Sequence, residues 1–447
     1  EKLGRFVGKW DTVFKIYMGP PEPRPLRPQV HPRSTGYSGS ATSWNNTGLQ
    51  CTIALSTQVT CLKMQGLDVR DGALNSRHQR ILRFRAGKDI VSTSMDSIYP
   101  TLLRRGHKYL HCLGQRNGFF GVFGATDVAL GPDKWIYILN RYETLTTTRI
   151  RYVPMTVEGD LGTMLHPKVD GEVERHGSEK FPSAVMCTID SDGVLYSTDE
   201  HANSILMLST SGETVGWWGE YGSEPGQLYG PSGITLDADE NLWIVNSQNH
   251  RVQKFTRKGE YISGWGTFGT DHDQLNFPWG IAIDPVNQSI LIADWRNDLV
   301  KRFSTDGELL QVIGKPGRGV GEMTRPSSVA VDQHGDIYIV DRGNNRILIY
   351  NHRGMFMESL IGDGTMTDKG VERLLGNPDA LRLRDNVVNF DQEKRFANPT
   401  SVKVDGEGRV FVVDTGRWRV QVYQKLFRVL EPDEIDAPEL HADPEVY

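Results

Sequence analysis

The stretch "NSQNHRVQKF" at 246–255 follows a short apolar run, "LWIV" at 242–245, and leads into a glycine turn, "TRKGE" at 256–260. Read alone, His250 is a candidate catalytic or metal-binding imidazole. Four other stretches repeat the same pattern. They lie at 181–219, 277–314, 325–362 and 398–424, beside 230–266 around His250 itself. Each has a proline, an apolar run, an Asp-Gly-like turn and a second apolar run ending in Asp or Asn. A polar turn and a third, alternating run follow. In four of the five a fourth run closes on Gly. The leading prolines Pro182, Pro231, Pro278 and Pro326 are spaced 49, 47 and 48 residues apart. A fixed period of that length is the mark of a repeat architecture.

A sixth, more divergent unit supplies two strands in "VFGATDVALGPDKWIYILNRYE" at 122–143 and a third in "TTRIRYVPM" at 147–155. Ahead of it, "HKYLHCLGQRNG" at 107–118 has the form of a fourth strand with its closing Gly, and the last repeat lacks one. These defects are complementary. If the N-terminal strand completes the C-terminal blade, the ring closes and no sheet edge is left open. The expected fold is all-β, a six-bladed β-propeller over 107–424. The expected flanks are a non-repeat N-terminal extension at 1–106 and an acidic tail at 425–447.

Composition agrees. The 447 residues include 47 Gly and 22 Pro without a collagen period, which means many tight turns between short strands. The net charge of −6 argues against a nucleic-acid surface. No run of 18 apolar residues is present, so no membrane span is expected. The sequence lacks GxSxG, HExxH, P-loop and CxxC motifs. Cys51 and Cys61 flank "TIALSTQVT", a hairpin-like stretch they would staple if oxidised; the bland alternative is two free thiols. With a first residue of Glu1 rather than Met, the staple gives the expectation of an extracytoplasmic protein, periplasmic or secreted. Sequons stand at Asn45 and Asn287. Pro399 follows Pro326 at a spacing of 73 residues, so an insertion at about 363–391 lengthens one connection between blades.

The repeat resembles the NHL family of six-bladed propellers through units of the form vDxxNxRVxxF, seen best at 246–255, 341–350 and 414–423. His250 falls in the family's namesake His position, aligned with Asn203, Asp298, Asn345 and Trp418. The stretch at 124–143 is similar to the opening blade of the peptidyl-hydroxyglycine amidating lyases. That likeness implies a channel Zn²⁺ on three His, one in the slot of His250 and two directly after leading prolines. Here the residues after those prolines are Ser183, Ser232, Trp279, Ser327 and Thr400. A lyase or hydrolase would need ligands from elsewhere, such as His201, His166 or His176, because a catalytic zinc needs three protein ligands.

One slot recurs in all six units, at the ends of the second strands: Asn140, Asp199, Asn246, Asp294, Asp341 and Asp414. Such residues cap turns; as a ring of oxygens they would instead suit a hard cation such as Ca²⁺. Just beyond them stand Arg141, His201, Arg296, Arg342 and Arg417. The arginines, with the Asp/Asn slot, form the expected ligand-binding rim of the channel, and His250 with His201 the candidate metal ligands. The favoured function is a binding or scaffold propeller that takes a protein or small-molecule ligand at this mouth. The alternative is metal-assisted lyase or hydrolase chemistry in the same channel.

Overall fold

The computed structural model describes residues 98–114, 122, 124–143, 148–169, 172–173, 183–365, 368–385 and 389–431. The Cys51–Cys61 hairpin, the Asn45 sequon, His176 and the residues from 432 onward lie outside these.

Six antiparallel sheets form the blades. Blade 1 has three strands, Ala125–Leu130, Ile136–Glu143 and Thr148–Met155. Single bridges from Tyr152 to Leu165 and from Met155 to Leu161 stand in for its fourth strand. Blade 2 comprises Ala184–Ile189, Val194–Asp199, Ser204–Ser209 and Thr214–Trp218. Blade 3 comprises Pro231–Leu236, Leu242–Asn246, Arg251–Phe255 and Tyr261–Trp265, and blade 4 Pro278–Ile283, Ile290–Asp294, Leu299–Phe303 and Leu309–Ile313. Blade 5 comprises Pro326–Val331, Ile337–Asp341, Arg346–Tyr350 and Phe356–Leu360. Blade 6 takes Pro399–Val404, Arg409–Asp414 and Arg419–Val429, and its outer strand is Leu102–Leu113 from the N-terminal side.

The leading strand of each blade packs against the leading strands of both neighbours, and that of blade 1 meets that of blade 6. The leading strands therefore surround the axis, and the second strands lie one step out. Being the inner edge of its sheet, a leading strand tolerates Pro as its first residue. Second strands are covered on both faces, which is why they read as unbroken apolar runs: "LWIVN", "ILIAD" and "IYIVD" are buried throughout. Fourth strands turn one face to water and alternate. Hydrophobic clusters fill the space between blades. Leu291, Ala293 and Val300 of blade 4, for example, pack with Val329, Ile337 and Leu348 of blade 5.

The closing strand is longer than its sequence suggests. It pairs with the last strand from Leu102↔Val429 to Leu113↔Val420, so 102–106 and 425–429 belong to blade 6 rather than to the flanks. It also fastens blades 4 and 5. Arg104 forms a two-pronged ion pair with Asp336, 2.6 Å at its closest, and His107 Nδ1 lies 2.8 Å from Glu358. Tyr99, just ahead of the strand, stacks on His352 at 4.7 Å, donates to Asp284 and accepts from Asn287 Nδ2 at 2.9 Å.

The insertion folds into helices α1 (Asp368–Leu375), α2 (Pro378–Asp385) and α3 (Phe390–Lys394). Arg419 holds its end by donating to the carbonyls of Glu393, Lys394 and Arg395. Among the described residues no helix is long and apolar enough to cross a membrane.

Candidate functional site

The recurrent Asp/Asn slot sits opposite the first residue of each leading strand: Pro231↔Asn246, Pro278↔Asp294, Pro326↔Asp341 and Pro399↔Asp414. All six slot side chains are buried. In blades 3 to 6 the side chain accepts the backbone N–H two residues before the leading proline, at 2.7 Å: Tyr229 to Asn246, Asn276 to Asp294, Thr324 to Asp341 and Ala397 to Asp414. Asp199 accepts from Ser183, His201 and Ala202. Cations further along each blade complete the set: Lys301 on Asp294 at 3.0 Å, Arg346 on Asp341 at 2.7 Å and Arg419 on Asp414 at 2.8 Å. Burial raises the carboxyls of Asp199, Asp294, Asp341 and Asp414 above the usual range, against these donors. This placement corrects the expected ring of oxygens around the channel. The slot is enclosed within each blade; in blades 2 to 6 its oxygens tie the incoming loop to the sheet, whereas in blade 1 the Asn140 amide donates to Ile138 O.

His250 has an equally local task. It lies in the left-handed region at φ 52°, where it ends a single 3-10 turn over Ser247–Asn249. Its Nδ1 accepts the N–H of Phe277 at 3.0 Å, so in this hydrogen bond Nδ1 is unprotonated. The ring lies 4.6 Å from Phe268 and 4.8 Å from Phe277. Burial, and then the nearby Arg296, push the imidazole below its ordinary value. Three other blades repeat the contact with different chemistry. Asn203 accepts from Gly230 at 2.8 Å, Asp298 from Arg325 at 2.6 Å, and Asn345 from Asn398 at 2.7 Å. Every donor stands immediately before a leading proline, so the slot of His250 is a clasp from one blade to the next. The aligned Trp418 is also left-handed, at φ 52°, though an indole offers no acceptor.

These placements do not fit a three-imidazole zinc site. Nδ1 of His250 is taken, His201 is exposed on the rim, and no three His, Cys, Asp or Glu side chains among the described residues are grouped to hold a metal. The hydroxyls after the leading prolines bond between blades instead. Ser232 Oγ donates to Trp279 O at 2.8 Å, Ser327 Oγ to Thr400 O at 2.9 Å, and Thr400 Oγ1 to Thr126 O at 2.8 Å. A β-bulge follows the first residue of every leading strand and frees these side chains from the ladder.

The residue directly after the slot differs from blade to blade: Arg141, Glu200, Ser247, Trp295, Arg342 and Thr415 in blades 1 to 6. Arg141 pairs with Glu200 at 3.0 Å, and Glu200 also accepts from Ser183 Oγ at 3.3 Å. Ser247 and Thr415 donate to the carbonyls of Pro278 and Ala125 in the next blades. Trp295 stands 5.3 Å from Trp279, the residue after Pro278. The Arg342 guanidinium lies 5.4 Å over Trp295 and donates from Nε to Asn398 at 2.7 Å. Burial lowers its pKa, Glu200 opposes that shift, and Arg325 adds to it. Glu200 belongs to blade 2 and Arg342 to blade 5.

Of the four rim arginines expected from sequence, Arg141 and Arg342 stand directly after the slot. Arg296 is exposed and covers Phe277 at 3.8 Å, beside His250. Arg417 donates to Gln392 O at 2.6 Å, a strut to α3. Sequence reasoning missed Glu200, Trp279 and Trp295 as partners at the mouth. The signal was present in the two columns that follow the slot and the leading proline, whatever residue type fills them.

Comparison with known proteins supports the repeat reading. A family model described as a 6-bladed beta-propeller matches residues 280–363, and an NHL repeat model matches 228–255. NHL repeat-containing protein 3 of Homo sapiens is 31% identical over 147 residues, which are 31% of this chain and 36% of that protein. The match thus spans about a third of the relative's length. Protein lin-41 of Caenorhabditis elegans is 44% identical over 45 residues, 10% of this chain and 4% of that protein. Among solved structures, virginiamycin B lyase from Staphylococcus aureus covers 71% of this chain and 99% of its own, with TM-score 0.44 and 12% identity. A protein of unknown function from Bacteroides thetaiotaomicron covers 72% and 74%, with TM-score 0.48 and 16% identity.

Proposed function

Because the chain belongs to the NHL-repeat family of six-bladed β-propellers, we propose that it is a binding module whose ligand, a small molecule or a protein loop, seats at the mouth built by Arg141, Glu200, Trp279, Trp295 and Arg342. One observation carries this reading. Arg342 is partly buried over the Trp295 ring, yet no carboxylate of the described residues forms an ion pair with it. Withdrawing a guanidinium from water without a partnering anion costs stability, and a scaffold residue would be paired as Arg346 and Arg419 are. The neighbouring tryptophans offer flat apolar surface beside a fixed polar group, the usual make-up of a ligand site.

The test is a thermal-shift screen of small-molecule and peptide libraries, with each positive repeated on Trp295→Ala. Ligands of the mouth are expected to lose their shift in the variant. Positives that survive it would move the binding surface elsewhere on the ring.

A further inference from the structure

The polar groups at the mouth are unequally committed. Glu200 already holds Arg141 and Ser183. The hydroxyls of Ser232, Ser247, Ser327, Thr400 and Thr415 bond to one another or to carbonyls of adjacent blades. What is left is cationic. The Nε of Arg342 serves Asn398, while its two terminal nitrogens have no hydrogen-bond partner among the described residues. Charges of both signs act on Arg342, Glu200 favouring its charged form and Arg325 opposing it. The open terminal nitrogens of Arg342 are free to take an anion. A guanidinium with a free fork matches the geometry of a carboxylate. Next to this fork the Trp279–Trp295 pair presents ring faces 5.3 Å apart at a 40° tilt, with Trp295 directly beneath the guanidinium.

We propose that the mouth binds aromatic carboxylates, with the carboxylate gripped by the terminal nitrogens of Arg342 and the ring laid against the Trp279–Trp295 pair. This rests on the mouth being the binding site and adds the chemistry of its ligand. Arg342 sets the charge and direction of the head group, and the tryptophans set the flatness of the body. A cationic ligand meets the Arg342 guanidinium. An anion without a ring forfeits the tryptophan faces, and a neutral arene forfeits the fork.

The experiment is calorimetric titration of the full chain with 2-naphthoate, 2-naphthalenemethanol, acetate and 2-naphthyl phosphate, at two salt concentrations. It is repeated on Arg342→Gln, Arg342→Lys and Trp295→Ala, with the melting temperature of each variant recorded. 2-Naphthoate is expected to bind more tightly than the alcohol or acetate by roughly tenfold or more, the worth of one charge-assisted hydrogen bond. Both Arg342 variants are expected to lose about that factor while melting close to the parent, because Lys keeps the charge and not the fork. If Trp295→Ala weakens naphthoate and the Arg342 variants do not, or if the alcohol binds as well, the carboxylate assignment is overturned while the mouth stands. Tighter binding of the phosphate also overturns it. Naphthoate that binds all variants equally, or does not bind, removes this proposal. If the library positives also ignore Trp295→Ala, the reading of the mouth falls with it.

Discussion

Replacing His250 separates a clasp from a catalytic or metal role. His250→Ala removes the acceptor for the Phe277 N–H and leaves that partly buried donor unpaired, a loss of about 1 kcal/mol at such a site. It also removes the ring contacts to Phe268 and Phe277 at 4.6 and 4.8 Å. Phe268 is largely exposed, so those contacts contribute about 0.5 kcal/mol. Alanine also gains nothing from the left-handed backbone at φ 52°, which costs on the order of 1 kcal/mol relative to residues with local polar contacts. His250→Ala should therefore destabilise by about 2.5 kcal/mol, read as a lower urea midpoint at unchanged slope. His250→Asn should cost well under half of that, since Asn203 and Asn345 make the same contact at the same backbone conformation. The pH dependence gives a second reading. The folded-state pKa of His250 is depressed by burial and Arg296, so its contribution is fully present above the unfolded value near 6.5 and is lost as pH falls. The stability gap between wild type and His250→Asn should thus move in favour of Asn between about pH 7 and 5. Equal damage from Ala and Asn would refute the clasp. Stoichiometric zinc lost on His250→Ala would do so as well, by giving the imidazole a metal.

Two further outcomes follow from the closing strand. Removing residues 1–116 bares the edge of Arg419–Val429 and cuts the Arg104–Asp336 and Tyr99–Asp284 links; scanning calorimetry should show the cooperative transition lost, and a truncated chain that melts like the full one would disprove closure. The amide of Asn287 donates to the Tyr99 hydroxyl at 2.9 Å, so a glycan there would displace the strap. Protein made in secretory cells should give an unmodified 287 peptide in mass spectra, and occupancy at that site would show that the strap releases.

The ring, its six blades and its closure were legible because the physics repeats. Each blade needs an inner edge that tolerates Pro, a second strand apolar on both faces, and a buried Asp or Asn to hold the incoming loop. Those demands recur at a constant spacing. The start of the closing strand was obscured because "LLRRGHK" at 102–108 is basic; Arg104 pairs with Asp336 of blade 5, while Arg105 and Lys108 face solvent. The rim was harder, for a geometric reason. Arg342 opens the 3-10 turn Arg342–Asn344, whereas Arg417 ends the turn Thr415–Arg417. At about three residues per turn, an offset of two positions carries a side chain from the axis to the outer rim. Grouping the arginines by residue type therefore mixed two directions.

The columns of the repeat separate scaffold from site. The slot holds only Asp or Asn in all six blades, and the clasp is an acceptor in four blades whose backbones are alike there. Local structure accounts for both. Directly after the slot, in the same register of every blade, stand Arg, Glu, Ser, Trp, Arg and Thr. Equivalent backbone positions face equivalent local demands, so nothing within a blade requires six fillings of such different charge and size. What differs between these positions is only their place around the axis. A ring that varies its inner rim while holding its frame constant produces an asymmetric surface at the one location that all blades share. On that surface Arg342 of blade 5 and the tryptophan pair of blade 4 are neighbours, so charge and flatness stand side by side at one sector of the ring.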